Sequence, residues 1–154
     1  YDKYVKSIYR FVYLKVGSKQ VAEDLTQDIF LKVWQHLVDK RNVRSFQAFI
    51  FRIARNTVVD YYRSSKQELP LENMPESVEI IEESVLAADK NLDIAILLKE
   101  IELLKSEYQE VLLLRYVEDM SIDDIAHVMA KDKNNIRVTI HRALTKLKTI
   151  TKGK

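Results

Sequence analysis

Hydrophobic residues recur at helical spacing through the first third of the chain. The same i, i+3, i+4 pattern predicts helices over residues 2–16, 20–38 and 45–63, each with one buried side. In the third helix that side carries Phe46, Phe49, Ile50, Ile53, Thr57 and Tyr61. Ser45 is positioned to cap this helix, and the chain should leave it near Ser64. The pattern therefore predicts a small three-helix domain.

The helical pattern returns after residue 91 and continues to residue 150. The first helix there is predicted from the apolar positions Leu92, Ala95, Ile96, Leu98, Ile101 and Leu104. Two capping boxes follow, Ser106 with Gln109 and Ser121 with Asp124, each opening a further helix. A helix over 121–130, a tight turn and a helix over 133–150 capped by Asp132 have the dimensions of a helix-turn-helix.

The stretch 66–90 separates these two regions and lacks helical periodicity. It contains both prolines, Pro70 and Pro75, and seven acidic residues, although a short helix over 79–88 is compatible with its pattern. We therefore predict an all-α protein of two small helical domains, 1–66 and 91–154, joined by an acidic linker over 67–90.

Composition excludes several classes of function. With two glycines and no cysteine, the chain offers neither a glycine-rich phosphate loop nor a thiolate metal site. The three histidines stand in separate segments, and no nucleophile is paired with a base, so neither an enzyme nor a bound metal or cofactor is expected. No apolar run is long enough to cross a bilayer and no signal peptide is present, so the sequence predicts a cytoplasmic protein without membrane insertion.

Charge is distributed in blocks along the chain. Residues 1–66 hold 13 Lys and Arg against 6 Asp and Glu, whereas residues 67–98 hold 1 against 8. Residues 125–154 are again basic, with 8 against 1. Two basic blocks on a helical protein indicate two contacts with a polyanion.

Three helix faces carry candidate chemistry. On the third helix, the side opposite the buried one combines rings and cations: Phe51, Arg52, Arg55, Val59 and Tyr62. Either this is a central helix packed on both sides, or it is a surface on which unpaired bases stack and phosphates pair with guanidinium groups.

On the second helix, Gln27, Leu31, Trp34 and Val38 lie opposite the buried stripe of Leu25, Ile29, Val33 and Leu37. Either another helix covers them, which the helix alone slightly favours, or they form an exposed strip for a protein partner.

The outward face of the last helix is basic and free of acidic residues. Its members are Asn134, Arg137, Val138, His141, Arg142, Thr145 and Lys148. Arg pairs with guanine, Asn pairs with adenine, and an exposed Val contacts a thymine methyl group, so this face favours the major groove of DNA.

Three stretches, in this order, carry a resemblance to a known family: EDLTQDIFLKVWQHL, FQAFIFRIARNTVVDYYR and YQEVLLLRYVEDMSIDDIAHVMAKDKNNIRVTIHRALTKL. Together they resemble bacterial sigma factors of the extracytoplasmic-function group. The resemblance implies a first domain that binds core RNA polymerase and the melted minus-10 promoter element. It also implies a second domain that reads the minus-35 element as duplex, and an anti-sigma protein as a partner.

The resemblance also assigns candidate residues by position. The minus-10 candidates are Arg41, Arg44, Arg52, Arg55, Asn56, Tyr62 and Arg63. The minus-35 candidates are Lys133, Asn134, Asn135, Arg137, Val138, His141 and Arg142. The polymerase-binding candidates are Asp24, Gln27, Asp28, Leu31, Trp34 and Gln35.

The chain departs from the family pattern at three places. Phe49 stands where Trp is common, Ala130 stands where a Gly usually ends the first helix of the helix-turn-helix, and the pair Asn134 and Asn135 is unusually polar. Two other functions stay open. One is a helix-turn-helix regulator that binds duplex DNA alone, and the other is a decoy that binds only a sigma-sequestering protein.

Overall fold

The computed structural model describes residues 2–38, 45–65 and 92–152, which fall into two compact units on either side of the acidic stretch. Regular secondary structure in these ranges is helical throughout. The predicted linker 67–90, the helix considered for 79–88, and the candidates Arg41 and Arg44 lie outside the described residues. No helix within the described ranges combines the length and the apolarity that crossing a membrane requires.

Three helices form the first unit: α1 (Asp2–Val16), α2 (Lys19–Val38) and α3 (Phe46–Ser65). Gly17 ends α1 with φ of 70°, a left-handed conformation that glycine adopts without the steric cost of a Cβ. Ser18 then accepts a hydrogen bond from the Val21 amide at 3.3 Å, and Ser45 accepts one from the Ala48 amide at 3.2 Å. Serine N-caps therefore begin both later helices, and the predicted cap at Ser45 is confirmed.

The core of the first unit is centred on two perpendicular rings. Phe11 and Phe51 have no exposed surface, and their ring centroids lie 5.5 Å apart with an interplanar angle of 86°. The sequence placed Phe51 on the side of α3 opposite the predicted stripe, and its burial agrees with the alternative that α3 is packed on both sides. Because α3 packs against both α1 and α2, its apolar residues must occupy a wider arc than one stripe.

Two other residues of the predicted buried stripes lie at the surface of the first unit. Leu37, near the end of α2, is 45% exposed, and Phe46, at the start of α3, is 36% exposed. Both line a groove described below. Periodicity placed them correctly on an apolar face, but that face continues past the packed part of each helix.

The second unit contains α4 (Leu92–Ile101), α5 (Ser106–Leu112), a π-helical turn (Leu113–Val117), α6 (Ile122–Met129) and α7 (Lys133–Lys152). Its core is apolar and comes from every one of these helices. The largest buried members are Leu98, Ile101, Leu112, Leu113, Leu114, Met120 and Ile125, with Ile136 and Ala143 from α7. Packing of α5 and α6 against α7 fixes the position of the last helix.

Ile96, one of the apolar positions from which α4 was predicted, is 55% exposed. The capping box predicted at Ser106 is wrong, because Lys105 is the N-cap residue of α5 and provides no side-chain cap. Instead, the side-chain Nε2 of Gln109 donates at 3.0 Å to the carbonyls of Glu102 and Leu104, which satisfies acceptors left after the end of α4.

Candidate nucleic-acid and protein interfaces

The helix-turn-helix has a cap at the start of each of its helices and one left-handed residue in the turn between them. Ser121 Oγ accepts from the Asp124 amide at 3.1 Å, and Asp132 Oδ1 accepts from the Asn135 amide at 2.7 Å, so both predicted caps are confirmed. Ala130 has φ of 54° and ψ of 47°, the conformation that a Gly at this position would adopt. The Lys131 amide donates to the Ala126 carbonyl at 3.0 Å, which closes the end of α6.

The outward face predicted for α7 is exposed. All seven minus-35 candidates lie on the surface: Lys133, Asn134, Asn135, Arg137, Val138, His141 and Arg142. Between them, Ile136, Ile140 and Ala143 are buried against the unit. Val138 is 40% exposed although it is apolar. A surface of this kind is suited to base edges and methyl groups in a groove.

Neighbouring side chains hold parts of this face in place. Thr139 donates its hydroxyl hydrogen to the Asn135 carbonyl at 2.8 Å, and its oxygen lies 3.3 Å from Asn135 Oδ1. Lys133 pairs with Asp123 of α6 at 2.6 Å. These contacts restrict the first two turns of α7 and so orient the polar groups that it presents.

A polar concavity of about 320 Å³ lies beside the first turns of α7. Lys105, Glu107 and Tyr108 at the start of α5 form one wall, and Asn134, Asn135, Val138 and Arg142 are among the residues of the other. Helical periodicity did not predict that Lys105 and Tyr108 would reach this face. The available signal was a cation and a ring three residues apart at a helix start, a spacing that brings side chains together.

On α3, the minus-10 candidates differ in exposure. Asn56 and Arg63 are exposed, whereas Arg52, Arg55 and Tyr62 are half-buried. The buried Phe51 supports packing on both sides, while the polar members of the same face reach the surface. Each of the two interpretations of this face therefore describes part of α3.

Tyr62 links the end of α3 to the end of α1. Its hydroxyl donates a hydrogen bond to the Lys15 carbonyl, and its ring centroid lies 5.4 Å from that of Tyr61. Burial raises the pKa of the Tyr62 hydroxyl above its ordinary value of 10.0, and repulsion from Tyr61 raises it further. Tyr62 is thus held in one orientation at the edge of the α3 surface.

An apolar groove of about 710 Å³ runs along α2. Leu31 is 61% exposed and Trp34 is 66% exposed, and Tyr4, Phe30 and Phe46 complete much of the lining. The expectation that another helix covers this strip is wrong, because α2 packs only its other face against α1 and α3. The remaining polymerase-binding candidates on α2, Asp24, Gln27, Asp28 and Gln35, are exposed.

Comparison with known families matches each unit separately. The family model of sigma-70 region 2 matches residues 1–68, and that of sigma-70 region 4 matches residues 94–147. The turn between α6 and α7 and all seven minus-35 candidates therefore fall within the region 4 match, and the groove and α3 fall within the region 2 match.

Comparison with individual proteins gives the same family. The chain is 34% identical over 153 residues to the ECF RNA polymerase sigma factor BldN of Streptomyces coelicolor, covering 96% of this chain and 57% of BldN. It is 26% identical over 152 residues to the ECF RNA polymerase sigma factor SigM of Bacillus subtilis, covering 97% of this chain and 91% of SigM.

Among solved structures, the sigma factor RpoE, in a complex with the anti-sigma factor NepR from Bartonella quintana, has the same fold. Its TM-score is 0.78 at 24% identity, over 96% of this chain and 91% of that one. CnrH, in a complex with the cytosolic domain of CnrY, has a TM-score of 0.66 at 21% identity, over 96% of this chain and 82% of that one. By its two region models and its relatives, the chain belongs to the sigma-70 family and is a sigma factor of the ECF group.

Proposed function

We propose that this chain is a promoter-specificity subunit that binds core RNA polymerase in the cytoplasm and directs transcription initiation at a particular set of promoters. The observation that carries the proposal is the exposed basic face of α7, held by a capped turn. The chain itself makes and breaks no bond, because recognition and strand capture are binding steps. Residues 1–66 and 91–154 act as separate domains joined by 67–90, a proposal supported by the separate region matches over residues 1–68 and 94–147.

The second domain reads the minus-35 element through the first turns of α7. Arg137 has the donor fork for guanine, Asn134 and Asn135 have the amide for adenine, and Val138 is suited to a thymine methyl group. Lys133, His141 and Arg142 extend the same face with further hydrogen-bond donors. Each good bidentate contact contributes about 1 to 3 kcal/mol of discrimination between bases.

The first domain holds the melted minus-10 element along α3. Arg52, Arg55 and Arg63 supply charge for the backbone of the displaced strand, and Asn56 and Tyr62 supply an amide and a ring for unpaired bases. Arg41 and Arg44 precede this helix in the sequence and belong to the same set. Stacking contributes about 1 to 3 kcal/mol per captured base, which offsets part of the cost of opening the duplex.

The apolar groove of α2 binds core polymerase. Trp34 and Leu31 are large, exposed and adjacent to one cavity, as expected of interface anchors. Asp24, Gln27, Asp28 and Gln35 surround them with polar and acidic groups, which suit a partner with a basic rim. An anti-sigma protein is a further partner of this chain, by analogy with the RpoE and CnrH complexes.

The decisive experiment is run-off transcription with core polymerase on a random promoter library, with and without this chain. We expect initiation at a defined subset of sequences that share two separated elements. A chain that binds duplex DNA alone but directs no initiation would instead be a helix-turn-helix regulator. A chain that binds neither DNA nor polymerase would be a decoy. Trp34→Ala should weaken polymerase binding, whereas Arg137→Ala should relax base preference within the minus-35 element, which separates the two activities.

A further inference from the structure

The concavity beside α7 brings together two parts of the second unit that are distant in sequence. Lys105 and Tyr108 belong to the start of α5, whereas Asn134, Asn135 and Arg142 belong to the face of α7 that points outward. The space between them measures about 320 Å³. The surface presented by α7 therefore continues onto α5.

The ammonium group of Lys105 is held against the ring of Tyr108, and both residues line this concavity. Its Nζ lies 4.4 Å from the centroid of the Tyr108 ring, inside the range of a cation–π contact. Such a contact limits the rotamers of a long side chain while leaving its three donors available. Lys105 is exposed, so this cation is accessible to a ligand at the surface.

The acidic groups of the lining are engaged elsewhere. Glu107 forms an ion pair with Lys131, and Asp132 accepts the capping hydrogen bond from the Asn135 amide. Across the whole lining, Lys105 and Arg142 balance Glu107 and Asp132, so the formal charge is zero. Lys105 lines the same concavity as Asn134, Asn135 and Arg142, so a large ligand held by α7 would bring its own anionic groups near this cation.

The dimensions of DNA identify that anion. An α-helix with its side chains is about 10 to 12 Å wide and the major groove is about 12 Å wide, so α7 fills the groove it reads. The elements flanking α7 must then face the sugar-phosphate backbone at the groove edge.

We infer that Lys105 binds one phosphodiester group of the backbone that borders the base pairs read by α7, with Tyr108 holding its ammonium group in place. This inference rests on the proposed function, because it requires α7 to lie in the groove. Lys105 is a positioning residue, and it fixes the register of α7 without contacting a base.

The test uses the full chain and a promoter duplex selected with polymerase from the library. Binding is followed by fluorescence anisotropy between 50 and 200 mM salt for wild type, Lys105→Gln and the matched control Lys99→Gln. Lys99 is exposed and outside the concavity, and its replacement makes the same change in charge. Loss of one phosphate contact reduces the slope of log affinity against log salt concentration by about 0.9. When salt rises from 50 to 200 mM, the affinity of Lys105→Gln should therefore fall by a factor about 3.5 times smaller than that of wild type.

A series of duplexes, each with one neutral methylphosphonate in the backbone, locates the contact. We expect one position at which the methylphosphonate weakens DNA binding by wild type and by Lys99→Gln but leaves binding by Lys105→Gln unchanged. Lys105→Arg should respond to this methylphosphonate as wild type does. Equal responses of wild type and Lys105→Gln at every position, with selective binding intact, would overturn the inference alone. Absence of selective binding by wild type would overturn the proposed function first.

Discussion

Ala130 is the residue at which the helix-turn-helix departs most from an unstrained backbone. Its φ of 54° places a Cβ where a left-handed conformation costs roughly 1 to 2 kcal/mol. The structure keeps this conformation because the Lys131 amide must reach the Ala126 carbonyl to close α6. The sequence already marked this position as unusual, since a residue with a Cβ stands where glycine is common.

Replacing Ala130 by glycine should therefore stabilise the second unit. We expect Ala130→Gly to raise the free energy of unfolding by about 0.5 to 1 kcal/mol. The strain energy that the substitution removes exceeds the entropic cost of ordering a glycine, which is more flexible than alanine in the unfolded chain. The matched control is Ala126→Gly inside α6, which should lower it by about 1 kcal/mol. Urea denaturation followed by circular dichroism measures both. A loss of stability in Ala130→Gly would contradict the strained conformation.

The hydroxyl of Tyr62 should stabilise the first unit in a pH-dependent way. Tyr62→Phe removes the hydrogen bond from the Tyr62 hydroxyl to the Lys15 carbonyl. Below pH 10.0 this change should lower the free energy of unfolding by about 1 kcal/mol. Because burial raises the pKa of this hydroxyl, the advantage of the wild type is complete below 10.0 and is lost as pH rises through the raised value. Urea denaturation of both proteins across this range tests the prediction, and a difference independent of pH would contradict it.

Arg137 and Lys148 should differ in the kind of binding that they support. Both are exposed basic residues of α7, but Arg137 lies in its first turns and Lys148 lies near its end. Arg137→Ala should cost about 1 to 3 kcal/mol on the preferred promoter and relax the preference at one base pair. Lys148→Ala should weaken binding to all duplexes alike. Selection from a randomised minus-35 element measures both, and equal effects on every sequence would count against the assignment of α7.

At the scale of elements, the arrangement of α2 explains both its packing and its binding surface. Ile29 and Val33 pack into the unit, while Leu31 and Trp34 on the other side stay exposed. Periodicity predicted two apolar sides on α2 and on α3 alike. It did not predict which second side is covered, because that depends on how many neighbours each helix has. The second apolar side of α3 is covered, with Phe51 in the core, whereas the second apolar side of α2 lines an open groove.

The exposed anchor on α2 should be dispensable for folding and necessary for assembly. Since Trp34 is 66% exposed, Trp34→Ala should change the free energy of unfolding by less than about 0.5 kcal/mol. Its affinity for core polymerase should fall by about 2 kcal/mol or more, the loss typical of an interface anchor. Gln20→Ala, at an exposed position of the same helix outside the groove, is the control. Co-sedimentation with core polymerase provides the measurement, and unchanged binding of Trp34→Ala would exclude the groove.

Over the whole molecule, the sequence predicted two basic helical modules and an acidic connection, and the two region models match residues 1–68 and 94–147. The helix-turn-helix was predictable because its caps and its apolar stripe are local. The concavity formed by Lys105 and Tyr108 was not, because it depends on packing between helices separated by more than twenty residues. Local patterns thus predicted the outward face of α7, whereas the neighbouring concavity became apparent only from the tertiary packing.

The length of the connection should affect promoter binding only weakly. Inserting about 24 Gly and Ser residues into 67–90 roughly doubles its length, which costs about 0.6 kcal/mol of closure entropy when both domains bind one promoter. We expect about a threefold loss of affinity for a promoter with both elements. The same insertion after Lys154 is the control. Filter binding with core polymerase present provides the measurement, and complete loss of binding would indicate that this connection has a more specific role.

The π-helical turn Leu113–Val117 has a consequence for the evolution of the second unit. The Glu118 amide donates to the Leu113 carbonyl and the Met120 amide donates to the Leu114 carbonyl, and Arg115 binds the Met120 carbonyl at 2.8 Å. A π turn accommodates one residue more than an α turn. Single-residue insertions and deletions in homologous chains should therefore accumulate at this turn. A change of helical pitch there absorbs the added or lost residue, so the position of α7 is unchanged.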